Sequence, residues 1–411
     1  AIGASRHETV ERALAALAPF SGPPQASVLG RAERLDIMLA ALMNGITSHT
    51  FDCDDTHLKT VIHPSGPVAS ALLALAERLP VRGEDFIHAF VLGVEVECRI
   101  GNAVYPAHYD IGWHITPTAG VFGAAAAAGK LLKLTEQQMV WALGIAATQS
   151  SGLREMFGTM TKPCHPGNAA RNGLLAALLA QRDFTSSNEA IEAKRGFGHV
   201  LSTQFKPEAI TEKLGETWEI LLNTYKPYAC GIVIHPTIDG CIQLRNAHAL
   251  KAQDVESIAL RVHPLVLELT GKKTPQAGLE GKFSVYHSAA VAIIHGADGE
   301  AEYADAVVRD PGVIALRERV SATVDPNVHE DQAHIMIRLR SGKTVEKFVE
   351  HAIGSIDRPM SDADLEAKFR GFAHGILSPA DTDRVIALCW DVGRLADVAE
   401  VARATVTRVV R

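Results

Sequence analysis

Residues 122–132 read FGAAAAAGKLL, and this segment constrains the fold more strongly than any other stretch of the chain. Five consecutive alanines between two glycines predict a helix that is apolar on all sides and has little bulk. A helix without a polar face is stable only where other elements cover it. We therefore predict that this helix is buried between closely packed neighbours.

Helical patterns continue on both sides of this segment. Residues 68–78 (VASALLALAER) and 139–150 repeat apolar residues at every third or fourth position. Residues 166–168 (PGN) predict the start of another helix, which continues to residue 181. The first half of the chain is therefore predicted to be helical.

The pattern changes near Pro227. Residues 255–270 (VESIALRVHPLVLELT) and 335–351 (IMIRLRSGKTVEKFVEH) alternate apolar and polar residues, which is typical of strands. A turn at residues 341–343 (SGK) divides the second stretch, so we predict a β-hairpin there.

The length of 411 residues favours two domains over one core. Because the helical pattern returns near the end of the chain, we predict a mainly α fold with a smaller α+β domain. The helical domain would be discontinuous, comprising residues 1–229 and 366–411, and the α+β domain would comprise residues 230–365.

The composition excludes several classes of partner. A net charge of −7 without any long basic run disfavours a nucleic-acid surface. The most apolar stretches, residues 119–128 and 174–180, are shorter than the roughly 20 residues that span a membrane. The first residues lack the apolar region of a signal peptide, and the six cysteines form no CxxC pair. We therefore expect a cytoplasmic protein with reduced thiols.

No nucleotide-cofactor motif is present in the sequence. Residues 341–344 (SGKT) resemble the end of a phosphate-binding loop, but Ile337 stands where that loop requires its first glycine. No GxGxxG follows a predicted strand, so a nicotinamide or flavin dehydrogenase has no support.

Acidic and imidazole side chains are crowded between residues 44 and 64. Asp52, Asp54 and Asp55 lie within four positions, with His49 before them and His63 after them. Carboxylates this close raise one another's pKa unless hydrogen bonds or cations compensate. Helix capping by the acidic residues and binding of a divalent metal are alternative interpretations. The metal is disfavoured because Pro-Ser-Gly after His63 predicts an irregular turn.

Two further polar residues lie at predicted helix starts. His114 directly precedes the Ala-rich helix. Lys162 precedes Pro163, so we expect it in an extended turn just before the helix that starts at residues 166–168. The start of a helix attracts anions such as carboxylates, although an ordinary structural histidine and a solvated lysine remain alternatives.

The remaining polar segments lie at and beyond the predicted domain boundary. Residues 225–239 (YKPYACGIVIHPTID) contain His235, and residues 278–287 (GLEGKFSVYH) end in Tyr286 and His287. Small-molecule sites are frequent at the seam between two domains.

Together these segments resemble the MmgE/PrpD family, which contains 2-methylcitrate dehydratases, cis-aconitate decarboxylases and iminodisuccinate epimerases. The pieces occur in order over most of the chain, so the set is specific although no single piece is. The matching pieces are NGITSHTFDCDDT, HPSGPVASALLALAE, GWHITPTAGVFGAAAAAGKLL, GTMTKPCHPGNAARNG, KPYACGIVIHPTID and GLEGKFS.

The resemblance implies an MmgE/PrpD-like two-domain architecture in which the α+β domain is a lid, a site at the seam and no metal or organic cofactor. It also implies a homodimer, and the Ala-rich helix favours the same conclusion because one modest domain supplies little cover. The residues implied for catalysis are Asp52, Thr56, His63, His114 and Lys162, and those implied for substrate binding are His165, His235, Tyr286 and His287. Position 287 carries His where related sequences carry Tyr.

The reactions of the family share a carbanion-like or enolate-like state next to a carboxylate. Lys162 would hold developing negative charge, His114 or His63 would move the proton, and Asp52 would orient an imidazole. We predict a cofactor-independent lyase that dehydrates or decarboxylates a small di- or tricarboxylate. An isomerase that epimerises a carbon acid, such as an imino- or hydroxy-dicarboxylate, is the alternative. A non-catalytic binding protein of the same fold is a third, more remote alternative.

Overall fold

The computed structural model describes residues 1–407, and helices dominate it. The helices before residue 212 are α1 (Glu8–Leu17), α2 (Ile37–Thr50), α3 (Ser65–Ala76), α4 (Gly83–Val104), α5 (Ala107–Asp110), α6 (Ile115–Leu131), α7 (Glu136–Ala147), α8 (Thr161–Ala180), α9 (Phe197–Leu201) and α10 (Glu208–Thr211). Those after it are α11 (His235–His248), α12 (Pro264–Thr270), α13 (Gly278–Gly281), α14 (Val285–His295), α15 (Asp305–Val308), α16 (Pro311–Arg317), α17 (Asp362–Ala373), α18 (Pro379–Trp390) and α19 (Ala399–Ala404).

The strands are few and short outside the C-terminal half. They are β1 (Ala26–Ser27), β2 (Arg34–Leu35), β3 (Asp55–His57), β4 (Asn223–Tyr225), β5 (Val255–Val262), β6 (Val320–Val324), β7 (Ala333–Leu339) and β8 (Thr344–Val349). The last four form one mixed sheet in the order β6-β5-β7-β8, with β5 and β6 parallel and the other pairs antiparallel. The hairpin predicted around residues 341–343 is confirmed as β7 and β8.

The Ala-rich segment forms most of α6 and is buried, as predicted. Residues 124–128 are at most 2% exposed. A Cβ atom at Gly173 of α8 would lie 2.5 Å from the Cβ of Ala124, and one at Gly93 of α4 would lie 2.8 Å from the carbonyl oxygen of Gly123. Glycine and alanine therefore let α4 and α8 of the same chain pack closely against α6 and cover it. Our argument that α6 needs a second chain for cover was wrong.

Helices α2 and α8 cross closely, and this crossing positions the polar residues that follow α2. A Cβ at Gly45 would lie 2.4 Å from the Cα of Gly167, so the two backbones are in contact. The C-terminal end of α2 therefore lies beside the first turns of α8, and Asp52 comes next to Lys162.

Two helix starts differ from the predictions. Helix α8 begins at Thr161, so Lys162 lies inside its first turn and is buried rather than in an extended turn. Pro163 is tolerated there because the first N–H groups of a helix have no partner within it. Helix α3 begins at Ser65, directly after His63 and Pro64, where we had predicted an irregular turn.

The strand pattern of residues 255–270 is only half correct. Strand β5 ends at Val262 and helix α12 begins at Pro264. Proline cannot donate a hydrogen bond to a neighbouring strand, and the ring of His263 accepts one from Leu265 N at the helix start. Apolar residues of the sheet pack against α11 and α14 in the core of the C-terminal half.

The last helices pack against the beginning of the chain. Ala373 of α17 and Val385 of α18 share an apolar cluster with Ile2, and Val398 packs against Ala76 of α3. The predicted boundaries at residues 229 and 365 remain a prediction. No helix within residues 1–407 is long and apolar enough to cross a membrane.

Candidate active site

A buried carboxylate between two lysines is the centre of the polar cluster. Lys162 Nζ donates to Asp52 Oδ2 at 2.7 Å, and Lys226 Nζ donates to Asp52 Oδ1 at 2.6 Å. All three side chains are at most 7% exposed. The crossing of α2 with α8 supplies the first contact. The antiparallel pairing of β3 with β4, which brings residue 55 opposite residue 225, supplies the second.

The two lysines differ electrostatically although they share one carboxylate. Burial lowers the pKa of Lys162, and the attraction of Asp52 does not fully offset it. Burial acts in the same direction on Lys226, but the charges of Asp52 and Asp54 outweigh it, and the pKa of Lys226 is raised. Burial alone would raise the pKa of Asp52, yet the two ammonium groups hold it well below its usual range. The cluster therefore contains fixed charges of both signs in a low-dielectric setting.

Three imidazoles lie beside this ion-pair cluster, each oriented through its Nδ1 atom. His49 Nδ1 lies 2.5 Å from Asp54 Oδ2. His63 Nδ1 lies 2.8 Å from the carbonyl oxygen of Asp55. His114, the residue before α6, has its Nδ1 2.9 Å from the Nδ1 of His165 in α8. None of these contacts involves the Nε2 atom of His49, His63 or His114.

Burial keeps His63, His114 and His165 neutral. It lowers the pKa of His63 to about 3 and that of His165 to about 4, and it lowers the pKa of His114 well below its ordinary value. Neighbouring cations add to the effect on His63, where Lys226 is the largest contributor after burial. Neutral imidazoles at pH 7 can accept a proton from a substrate.

Both lysines and two of the imidazoles, His63 and His114, line a small cavity of about 40 Å³, which we call the polar cavity. Its polar lining residues are Asp52, His63, Tyr109, His114, Lys162, Lys226 and Thr270. On its far side lie Phe157 and Phe283, whose ring centroids are 5.5 and 5.2 Å from Lys162 Nζ. The aromatic rings exclude water from the ammonium group, which strengthens its interaction with an anion.

Backbone strain occurs at two residues of the polar cavity. Asp52 has φ of 53° and Val61 has φ of 54°, and both line it. A left-handed conformation is unusual for any residue other than glycine and especially for a β-branched one. Such strain costs on the order of 1–3 kcal/mol per residue and is concentrated at functional sites.

Most of the predicted site residues come together, but some do not line the polar cavity. Thr56 is buried with its Oγ1 3.2 Å from His63 Nδ1, so it contacts an imidazole rather than the cavity. His165 likewise contacts His114. His235, at the start of α11, lines a neighbouring and mostly apolar cavity of about 260 Å³.

The structure places His287 and Tyr286 away from the polar cavity. Both lie in the first turn of α14, and His287 Nε2 is 3.0 Å from the carbonyl oxygen of Glu302. His287 is fully buried against Tyr303. Our prediction that these two residues bind substrate therefore has no support from this geometry.

The capping interpretation of the acidic residues holds for one of them. The carboxylate of Asp55 accepts hydrogen bonds from Ser65 N and Ser65 Oγ at the start of α3. Asp52 and Asp54 instead contact lysines and imidazoles in the interior. These two carboxylates therefore belong to the site and not to a solvated helix end.

Three residues of the site were missed by the sequence analysis as functional residues: Lys226, His49 and Asp54. Lys226 carries the same local signal as Lys162, because both lysines directly precede a proline. His49 and Asp54 lie in the crowded acidic segment, but their pairing across five positions depends on the turn after α2.

Within residues 1–407, three groups of side chains have donor atoms close enough for a metal ion to bridge, and one of them consists of His49, Asp52 and Asp54. His49, His63 and His114 form the second, with a nitrogen of each ring within 4.8 Å of the others. Asp331, His351 and Asp357 form the third near the surface.

Comparison with known proteins gives two family matches. Residues 1–210 match the MmgE/PrpD N-terminal domain, and residues 228–392 match the MmgE/PrpD C-terminal domain. All of the predicted site residues fall within these two ranges.

Several curated proteins are similar over nearly the whole chain. The cis-aconitate decarboxylase-like protein oryM of Aspergillus oryzae is 27% identical, covering 95% of this chain and 86% of its own. The cis-aconitate decarboxylase of Homo sapiens is 28% identical, and the match covers 92% of this chain and 81% of that protein. The 2-methylcitrate dehydratase of Cupriavidus necator is 23% identical, and the match covers 91% of this chain and 82% of that protein.

Proposed function

Because the chain belongs to the MmgE/PrpD family and has its two-domain architecture, we propose that it is a cofactor-independent lyase acting on a small tricarboxylate. Decarboxylation of a cis-aconitate-like acid is the first candidate reaction. The relatives named cis-aconitate decarboxylase are 27–28% identical, against 23% for the one named 2-methylcitrate dehydratase. Dehydration of a citrate-like acid is the second candidate.

The observation that carries the proposal is the placement of Lys162 and Lys226 on either side of Asp52. An ammonium group has three N–H donors. Lys162 directs one of them at the Asp52 carboxylate, and Lys226 directs one at that carboxylate and a second at the backbone carbonyl oxygen of Asp52. The remaining donors are available to carboxylate oxygens of a substrate in the polar cavity. Preorganised positive charge in a water-poor site stabilises negative charge that develops in the transition state.

The imidazoles would carry out the proton transfers of the reaction. In a decarboxylation the C–C bond to the leaving carboxylate breaks, its electron pair stays on carbon, CO₂ departs and a proton is added to the substrate. In a dehydration a base removes a proton next to a carboxylate and hydroxide leaves with a second proton. His114 and His63 line the polar cavity and can transfer these protons. Asp52 sets the charge balance between the lysines, while Thr56 and Asp55 orient His63.

Substrate entry requires that the polar cavity enlarge. A volume of about 40 Å³ holds no more than a few water molecules. Its walls come from both halves of the chain, with His63 and His114 on one side and Ile232 and Phe283 on the other. We propose that these halves separate to admit substrate and close again for reaction, which makes the C-terminal half a lid.

A substrate screen tests the proposal. Purified protein would be incubated with cis-aconitate, citrate, 2-methylcitrate and an imino-dicarboxylate, and the products separated by chiral chromatography and mass spectrometry. Loss of CO₂ or of water from one tricarboxylate is the expected result. A product of unchanged mass and altered configuration would support the isomerase alternative instead. Absence of turnover and of binding for all of these acids would contradict the proposal.

A further inference from the structure

Three imidazoles have the arrangement of a metal-binding site, and two of them, His63 and His114, line the polar cavity. One nitrogen of each of His49, His63 and His114 lies within 4.8 Å of one nitrogen of the other two. The ring centroids are 4.9, 5.9 and 6.5 Å apart. In a tetrahedral zinc site with bonds of about 2.0–2.1 Å the ligand nitrogens are roughly 3.4 Å apart. Side-chain shifts of about 1 Å would therefore bring all three nitrogens to one ion.

The outward-facing nitrogen of each ring is already held by the protein. Nδ1 of His49 contacts a carboxylate, that of His63 contacts a backbone carbonyl, and that of His114 contacts a second imidazole. Histidines that bind metals nearly always engage their second nitrogen in this way, because the contact fixes the ring and its tautomer. The arrangement leaves Nε2 of each ring available as a ligand.

An unpartnered donor atom points to a ligand independently of this geometry. Nε2 of His49 is buried and has no hydrogen-bond partner among residues 1–407. A buried polar atom without a partner costs about 1–3 kcal/mol. The mechanism proposed above does not use this nitrogen, so its burial without a partner needs another explanation.

The charges near the imidazoles do not exclude a cation. Lys162 and Lys226 contribute two positive charges, and Asp52 and Asp54 contribute two negative ones. Asp54 lies closest to the rings, with Oδ1 3.5 Å from His63 Nδ1. A divalent ion at the Nε2 atoms would therefore meet a cluster without net positive charge.

We propose that His49, His63 and His114 form a binding site for a divalent transition-metal ion such as Zn²⁺, and that the bound ion inhibits the protein by occupying the polar cavity in place of substrate. Three imidazoles and an open fourth position are a ligand set that Zn²⁺ and Co²⁺ accept. Metal binding is independent of the proposed function, whereas the inhibition rests on it.

Titration of the whole chain with Co²⁺ tests the site without any activity assay. Tetrahedral coordination gives Co²⁺ an intense visible absorption, and we expect one ion per chain with this spectrum. His49→Gln removes a ligand and should raise the dissociation constant by more than about 100-fold, and Asp54→Asn should raise it by about 10- to 100-fold. His114→Gln provides a second ligand variant in case His49→Gln fails to fold. His351→Gln is the matched control, because it removes a histidine from the surface group instead.

The outcomes separate the two proposals. Unchanged Co²⁺ binding in the folded His49→Gln and His114→Gln variants, loss of binding in His351→Gln, or absence of a tetrahedral spectrum would overturn the metal site. Inhibition is measured with a confirmed substrate at fixed free Zn²⁺, since tricarboxylates themselves chelate the ion, and Zn²⁺ should raise KM. Binding of Co²⁺ without inhibition by Zn²⁺ would support the metal site but contradict competition between the metal and the substrate. Failure of the substrate screen would leave the Co²⁺ result unaffected.

Discussion

The Nδ1 atoms of His114 and His165 face each other at 2.9 Å. Burial lowers the pKa of both rings, so both are neutral at pH 7 and only one proton can lie between the two nitrogens. The pair therefore determines which tautomer His114 adopts and whether its Nε2, on the cavity side, carries a proton. We therefore expect His165 to position His114, a role that differs from the substrate contact we predicted from sequence.

Replacement of His165 tests that function. His165→Ala removes the partner of His114 and should lower kcat/KM by about tenfold or more, which corresponds to ~1.4 kcal/mol. His165→Asn keeps a polar group near the original Nδ1 and should retain more activity than the alanine variant. The pH dependence of kcat should also change in His165→Ala, because the tautomer of His114 is no longer fixed. Equal activity of wild type and His165→Ala, or equal loss in both variants, would contradict a positioning role.

The neutral imidazoles predict an unusual pH profile. Burial lowers the pKa of His63 to about 3 and that of His114 well below its ordinary value, so neither ring takes up a proton as the pH falls through about 6.5. The profile of kcat/KM should therefore be flat from about pH 8 to about pH 5.5. On the alkaline side, activity should decrease as Lys162 loses its proton. This decrease should begin at a lower pH than for an ordinary lysine, because burial lowers the pKa of Lys162.

Stability should depend on pH in this same range. The unfolded chain takes up protons on its histidines below about pH 6.5, whereas His63, His114 and His165 of the folded protein do not. The free energy of unfolding should therefore decrease as the pH falls, while kcat/KM of the folded protein stays constant. Rates and thermal melts recorded at each pH separate the two effects. A decrease of kcat/KM centred near pH 6.5 in a fully folded sample would contradict the assignment of His63 and His114 as neutral in the folded protein.

The sequence predicted those parts of the fold that depend on local pattern. The burial of Ala124–Ala128 and the β7–β8 hairpin follow from residue type and spacing alone. The start of α8 was misplaced because two prolines near its beginning, Pro163 and Pro166, resembled a boundary. A helix tolerates proline in its first turn, and only tertiary packing shows that Lys162 already belongs to it.

The site was predicted only in part, because its contacts join distant segments. Asp52 and Lys162 were identified through the family motifs, but their ion pair depends on the close approach of Gly45 and Gly167. Lys226 reaches Asp52 through the pairing of β3 with β4, and no local pattern announces such short strands. Side-chain orientation was also inaccessible, so His287 was assigned to substrate binding although it does not line the polar cavity.

Chelation should not reduce activity. The proposed reaction needs charge from Lys162 and Lys226 and protons from imidazoles, and none of its steps uses an ion. A metal bound to His49, His63 and His114 would inhibit, so exhaustive dialysis against EDTA should leave kcat/KM unchanged or raise it. Elemental analysis before and after dialysis shows how much metal was removed. Loss of activity that one specific ion restores would contradict cofactor independence.

We also expect a homodimer, now on the family resemblance alone. The Ala-rich helix no longer supports this expectation, because α4 and α8 cover it within one chain. Sedimentation at micromolar concentration should give about twice the chain mass of 44.0 kDa. A monomer over the whole concentration range would reject the dimer.

The strongest test of the site concerns Lys162 and His114. Because Lys162 is buried in an ion pair, Lys162→Met is preferable to alanine: it fills similar space and leaves Asp52 paired with Lys226. Loss of a preorganised positive charge should lower kcat/KM by about 100- to 1000-fold, or ~3–4 kcal/mol. His114→Gln should lower kcat by roughly 10²- to 10⁴-fold if this ring transfers the proton. Lys272→Met, at an exposed lysine paired with Glu280, is the control for loss of one positive charge.

The double variant shows whether the two residues act on one intermediate. Groups that act on the same transition state contribute non-additively, so Lys162→Met combined with His114→Gln should be little worse than the worse single variant. Thermal melts must show that each protein is folded, since removing one partner of a buried ion pair is destabilising. If the losses instead add in full, the two residues act independently. If either folded single variant keeps more than about a tenth of the wild-type kcat/KM, an effect below ~1.4 kcal/mol, that residue does not take part in the reaction.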